Sequence, residues 1–137
     1  AVDVSANNGT SVLCPTTASY AHSGRDNKYG CGYFLIVETE DAVYQNSSRK
    51  LRLLFQHLME EATTTNPDIS NVATIAQGTT IAKTGDTGST GSYHLHFGVI
   101  NDGSNVFIND GNNYDTRTFT NTEQPLMFYP NINFTYN

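Results

Sequence analysis

No apolar run in this chain approaches the ~20 residues that a membrane-spanning helix requires, so no segment is expected to insert into a bilayer. Charge is scarce as well: 15% of the 137 residues are Asp, Glu, Lys or Arg, and the net charge is −6. An acidic chain repels phosphate backbones and anionic headgroups, which argues against nucleic acid or a membrane surface as the main partner. Internal repeats, low-complexity tails and linker-like stretches are missing. Residues 1–137 therefore read as one domain, long enough to bury a hydrophobic core. There is no initiator Met before Ala1, and the expectation is that a signal peptide or other upstream segment has been removed. Cysteine is limited to Cys14 and Cys31. Bonded, they would close a short loop worth roughly 3 kcal/mol. The other reading is two buried free thiols, and the sequence leaves both open.

What the chain does contain is β-forming material. It has 18 Thr, 15 Asn, 8 Tyr, 7 Phe and 11 Gly. Thr and the aromatics suit a pleated surface, and Asn and Gly suit turns, so an all-β or mostly β fold is expected. Turn clusters at 7–9, 23–32, 45–48, 63–70, 85–92, 101–104 and 109–113 separate short β-branched and aromatic runs. Those runs fall around Val12 and over 33–39, 72–75, 79–83, 93–100, 106–108 and 116–120. Tyr33-Phe34-Leu35-Ile36-Val37 is continuously apolar, which predicts a strand buried on both faces. Residues 50–62 are ambiguous. Apolar side chains at 51, 54, 55, 58, 59 and 62 match a helical period slightly better than the alternation that would put Leu51, Leu53, Phe55 and His57 on one strand face. Asn8-Gly9-Thr10, Asn46-Ser47-Ser48 and Asn133-Phe134-Thr135 fit the glycosylation pattern, as an Asn- and Thr-rich chain will by chance.

Histidine is also rare, with four in the chain: His22, His57, His94 and His96. Two of them stand in His94-Leu95-His96-Phe97, just after the glycine-rich run Thr84–Ser92. On a strand, residues i and i+2 share a face, roughly 6–7 Å apart. Tyr93, Leu95, Phe97 and Val99 would then form an apolar back. His94, His96 and Gly98 would face the other way, with open space at Gly98. Two imidazoles side by side can hold a metal and move a proton. The H-E-x-x-H pattern of helical zinc sites is absent, so a metal here would need another geometry.

A series of segments in order resembles the lysostaphin-type zinc endopeptidases, which cut the peptide part of bacterial peptidoglycan. Residues 3–12, Asp-Val-Ser-Ala-Asn-Asn-Gly-Thr-Ser-Val, resemble that family's H-x-x-x-D-[IV]-x-A-x-x-G-T-x-V opening without its His. Tyr29–Val37 is similar to its Y-G-N-x-V-x-I strand, and Phe55-Gln56-His57-Leu58 to its Y-A-H-L segment. Ile75–Gly88 resembles the V-x-x-G-x-x-I-x-x-x-G-x-T-G run that leads into H-L-H-F, and Pro125-Leu126-Met127-Phe128 the closing P-L-x-F. H-L-H-F after T-G is the specific signal; the other segments count through their order.

The resemblance implies a mostly antiparallel, sandwich- or barrel-like β-domain with a substrate groove and little helix. It implies an extracellular or cell-surface hydrolase acting on stem or cross-bridge peptides. Carried over residue by residue, Asp3 and His96 match Zn2+ ligands, and His57 and His94 match the two catalytic histidines. The family's third ligand, a His four positions before Asp3, would precede Ala1, so the domain is expected to be truncated at its N-terminus. The alternative is a metal-deficient, non-catalytic member of the same fold that binds cell wall or a protein partner. His22-Ser23-Gly24-Arg25-Asp26 imitates the opening motif but lacks the strand and G-T-x-V that follow Asp3, so His22 is expected to be a surface-loop residue. Ser92, Tyr93 and Gly98 replace a usual Gly, Pro and Glu or Gln. Tyr33, Tyr93 and Tyr129 are candidate groove contacts, Asp86 a turn residue, and 41–52 and 101–124 candidate extra groove walls or docking surfaces.

Overall fold

The structure is a computed structural model that describes residues 1–39, 42–44, 47–49, 51–100 and 122–123. These residues form strands β1 (Val2–Ser5), β2 (Ser11–Leu13), β3 (Ala18–Asp26), β4 (Gly32–Thr39), β5 (Ala42–Tyr44), β6 (Ser47–Arg49), β7 (Arg52–Leu58), β8 (Thr80–Lys83), β9 (His94–Ile100) and β10 (Thr122–Glu123). One turn of helix, α1 (Ala62–Thr65), and a 3-10 turn over Pro67–Ser70 lie between β7 and β8. The main sheet runs β1-β9-β7-β4-β3 with antiparallel neighbours, and β10 pairs with β9 beside β1. β2 and β8 form a separate ribbon, and β5 and β6 a hairpin. The mostly antiparallel β class expected from composition is what is found.

The central strands are apolar on both sides because both sides are covered. Leu35 and Val37 of β4, Leu53 and Phe55 of β7 and Leu95, Phe97 and Val99 of β9 enter one cluster. Phe34, Ile36, Leu54 and Ile100 enter a second, with Cys31. Phe55 and Phe97 are register partners and stack at 4.8 Å with planes 4° apart. Each such fully buried side chain contributes roughly 1.5–3 kcal/mol. Both cysteines are buried free thiols, so no bond joins them. Burial pushes each thiol up, and for Cys31 the neighbouring Asp26 carboxylate adds to it.

Three expectations are corrected. Residues 52–58 are strand, not helix: β7 sits between β4 and β9 with Leu53 and Phe55 on one face and Leu54 on the other, and a strand covered on both faces loses its alternation. Residues 72–75 form no strand; only Ile75 bridges, to Ala18. Pro67 and the Asn66 side-chain cap on Asp68 commit the preceding stretch to a 3-10 turn, and Val72 is left exposed. The turn placed over 23–32 begins late, since β3 continues to Asp26. The buried Asp26 carboxylate then gathers the backbone N–H groups of Lys28, Tyr29 and Cys31 at 2.9–3.1 Å and folds the connection to β4. The strands expected over 106–108 and 116–120, the turns after residue 100, the closing 125–128 segment and Tyr129 lie outside the described residues.

Candidate active site

Simple alternation carries two of the four candidate residues to one face. Leu95, Phe97 and Val99 pack inward, so His94 and His96 point to the other side of β9. Tyr93 precedes the strand and is exposed, so it does not belong to the apolar back. Gly98 opens no space either: a side chain there would meet Thr122, because β10 lies against β9 at that point.

The register of β1 brings in Asp3. Val2 and Val4 pack against the core, and Asp3, between them, is the direct partner of His96. Its Oδ1 lies 2.7 Å from His96 Nδ1 and 3.8 Å from His94 Nε2. The Asp3 side chain is 66% exposed, so the carboxylate stands open at the edge of the site. These groups come from positions 93 residues apart in the chain and meet through strand pairing alone.

His57 arrives by a different route. Plain alternation would place it with Leu53 and Phe55, under the sheet. Instead β7 and β4 shift register there: Phe55 faces Leu35 and Leu58 faces Tyr33, so Gln56 and His57 together oppose Phe34 alone. This two-against-one bulge re-aims the side chain. His57 adopts φ 60°, a left-handed conformation in which non-glycine residues are uncommon. Its ring then lies 4.8 Å from that of His94 and 6.1 Å from that of His96. The alternative strand reading, which put His57 on one face with Leu51, Leu53 and Phe55, therefore does not hold at His57.

Hydrogen bonds fix the tautomers. His57 Nδ1 is 2.8 Å from the Thr87 carbonyl, which can only accept, so Nδ1 carries the proton and Nε2 keeps its lone pair. His94 Nδ1 is similarly held 3.0 Å from the Ser92 carbonyl, leaving Nε2 toward Asp3. Burial pushes the His57 imidazole below its ordinary range; the Thr87 carbonyl opposes this, and His94 and His96 reinforce it. The result is a buried imidazole, biased toward its neutral form, beside two others.

Three further residues matter here. Thr87 sits in the glycine-rich run, and its hydroxyl donates to Leu58 O at 2.6 Å while accepting from Tyr33 N at 3.0 Å. The next residue, Gly88, has φ 87° and passes so close to Gly30 and Gly32 that no side chain fits. Gln56, the register partner of His96, is buried with an amide nitrogen that has no hydrogen-bond partner among the described residues, a feature costing about 1–3 kcal/mol. Only the family resemblance of the T-G and F-Q-H-L segments hinted at these positions. His22 is not a surface-loop residue. It lies in β3 opposite Ile36, half-buried, with its ring 5.7 Å from that of Phe34, because β3 extends through it. Asp86 is exposed in the loop after β8.

Among the described residues, no group of three His, Cys, Asp or Glu side chains is arranged to hold a metal ion. Asp3 and His96 nevertheless have the donor chemistry of two ligands, a carboxylate oxygen and an imidazole nitrogen converging on one exposed face. They fit a divalent ion as two members of a larger set.

The sequence matches the model of peptidase family M23 over residues 1–109. No curated protein matches it. Among solved structures, the fold is similar to the catalytic domain of lysostaphin, the antimicrobial peptidase from Staphylococcus simulans, with a TM-score of 0.53 and 24% identity over 71% of this chain and 62% of that one. It is also similar to LytU, with a TM-score of 0.50 and 21% identity over 75% of this chain and 61% of that one. The chain spans less than two thirds of the length of either, and at these identities the likeness concerns the fold.

Proposed function

The chain belongs to peptidase family M23, and from that premise we propose that it is a zinc-dependent endopeptidase of the cell surface or secreted space. Its substrates are the stem or cross-bridge peptides of bacterial peptidoglycan. One observation carries this reading: Asp3 of β1, His94 and His96 of β9 and His57 of β7 converge on a single face of the sheet.

Asp3 and His96 would hold the zinc, and the resemblance assigns the third ligand to a His four positions ahead of Asp3. Zinc bound there supplies a Lewis acid that polarises the scissile carbonyl and lowers the pKa of water from ~16 toward ~7. His57, neutral and protonated on Nδ1, offers its Nε2 lone pair to take a proton from the attacking water. His94, with Nδ1 tied to the Ser92 carbonyl, uses Nε2 to deliver a proton to the leaving amine or to hold the tetrahedral oxyanion. Among the described residues the carboxylate of the cluster is that of Asp3, and the imidazoles are the natural proton carriers. In the described residues no helix is long and apolar enough to cross a membrane.

The test pairs metal content with hydrolysis. The intact protein should carry about one zinc per chain and release amino groups from purified peptidoglycan. A chelator should stop this, and His94→Ala should slow it by about 10²–10⁴-fold. A protein that takes up no zinc and frees no amines, yet sediments with cell walls, would overturn the reading in favour of a non-catalytic binding scaffold.

A further inference from the structure

His57 is held in an unfavourable place, and the residue that contacts both its ring and the backbone after it is Thr87. A left-handed backbone at a non-glycine residue costs on the order of 1–3 kcal/mol and persists only where its surroundings enforce it. The N–H of His57 is bonded to Cys31 O at 3.0 Å, which fixes the near side of the peptide. On the far side, Leu58 O accepts the Thr87 hydroxyl at 2.6 Å. The same hydroxyl accepts the Tyr33 N–H at 3.0 Å, so it is tied to both β7 and the start of β4. Thr87 O, in turn, takes the Nδ1–H of the His57 ring at 2.8 Å. Thr87 thus grips the backbone after His57 with its side chain and the imidazole with its main chain. The close passage of Gly88 against Gly30 and Gly32, and the Ser89 N–H bonded to Gly30 O at 2.8 Å, lock the loop in that position.

We propose that Thr87 is the positioning residue for His57: its hydroxyl seats the glycine-rich loop so that its own carbonyl selects the Nδ1–H tautomer and presents Nε2 to the reacting groups. It touches no substrate and acts through His57 alone. The inference rests on the peptidase reading for its consequence in rate, but not for the tautomer it assigns.

Two variants separate the hydroxyl from the shape of the side chain. Thr87→Val keeps the volume and loses both hydroxyl bonds; Thr87→Ser keeps both bonds. In long-range 1H–15N spectra of the labelled protein, wild type and Thr87→Ser should show His57 protonated at Nδ1 with Nε2 bare. Thr87→Val should show a mixture of tautomers, with kcat on wall peptide lowered about 100-fold at an unchanged KM, the scale of a misplaced catalytic group. A wild-type His57 protonated at Nε2 overturns the inference, as does a Thr87→Val protein that keeps the Nδ1–H tautomer or a Thr87→Ser protein that loses it. Should Thr87→Val fail to fold, the wild-type and Thr87→Ser spectra still decide it. A protein that cleaves nothing but shows the Nδ1–H tautomer defeats the peptidase reading and keeps this one. The reverse result, cleavage with Nε2–H, defeats only this one.

Discussion

β9 and β7 lie side by side in the sheet and deliver histidines to the same face by opposite means. β9 is regular: Leu95, Phe97 and Val99 pack inward and the period of two turns His94 and His96 outward at no conformational cost. β7 reaches the same face by breaking its period, with a bulge against β4, a left-handed residue at His57 and a tether to Thr87. The regular strand sets two donors at a fixed spacing, while the irregular one brings a third imidazole within 4.8 Å of one and 6.1 Å of the other. What is cheap in β9 is costly in β7, and strain retained beside a cluster of imidazoles marks the place where chemistry is expected.

The sharpest way to break this contrast is to remove the imidazoles. His57→Ala and His94→Ala should each lower hydrolysis of wall peptide by about 10²–10⁴-fold, with the β-rich circular dichroism spectrum unchanged. The next largest effect concerns what keeps β9 regular. Phe97→Ala removes the ring stacked on Phe55 and should cost about 3–5 kcal/mol in urea unfolding, taking the histidine register with it.

A smaller but more telling test uses glycine. At His57 the backbone is left-handed, so His57→Gly should be more stable than His57→Ala by about 1 kcal/mol. At His96, in regular strand, the order should reverse, with His96→Gly less stable than His96→Ala by roughly 0.5–1 kcal/mol. Equal rankings at the two sites would dissolve the distinction between the strands.

The smallest effect concerns His22, which like His57 adjoins a register shift, here in β3. Burial pushes its imidazole down, opposed by the Glu61 carboxylate. A group whose folded pKa is depressed adds stability above its unfolded pKa, near 6.5, and that stability is lost as pH falls. His22→Gln should therefore flatten the decline in stability measured by urea titration between pH 7 and pH 5. An unchanged slope would show that the ring is not held neutral.

The same comparison explains what could be read in advance. Alternation is a local rule, so the outward pair His94 and His96 and the doubly buried strand at Phe34–Val37 were legible from the sequence. The location of His57 was not, because a bulge is decided by the partner strand and by a loop residue thirty positions on. β7 reads ambiguously, with a slight lean to helix, for a related reason: with apolar clusters on both of its faces, Leu54 and Phe55 erase the period that would identify it. The filling of the space at Gly98 by Thr122 depended on a distant strand that no local pattern announces. Asp3 was placed by resemblance alone, since nothing in Val2–Ser5 foretells that its partner is His96.

β1 has four residues, alternates packed and exposed side chains and, among the described residues, has no neighbour beyond it in the main sheet order. Segments of this kind open at free energies well below that of global unfolding. The carboxylate that meets His96 therefore rides on a short edge segment of the sheet. On the peptidase reading, peeling of this one short ribbon while the β3-β4-β7-β9 platform stays folded would switch hydrolysis off, and anything that clasps the ribbon would act as an activator.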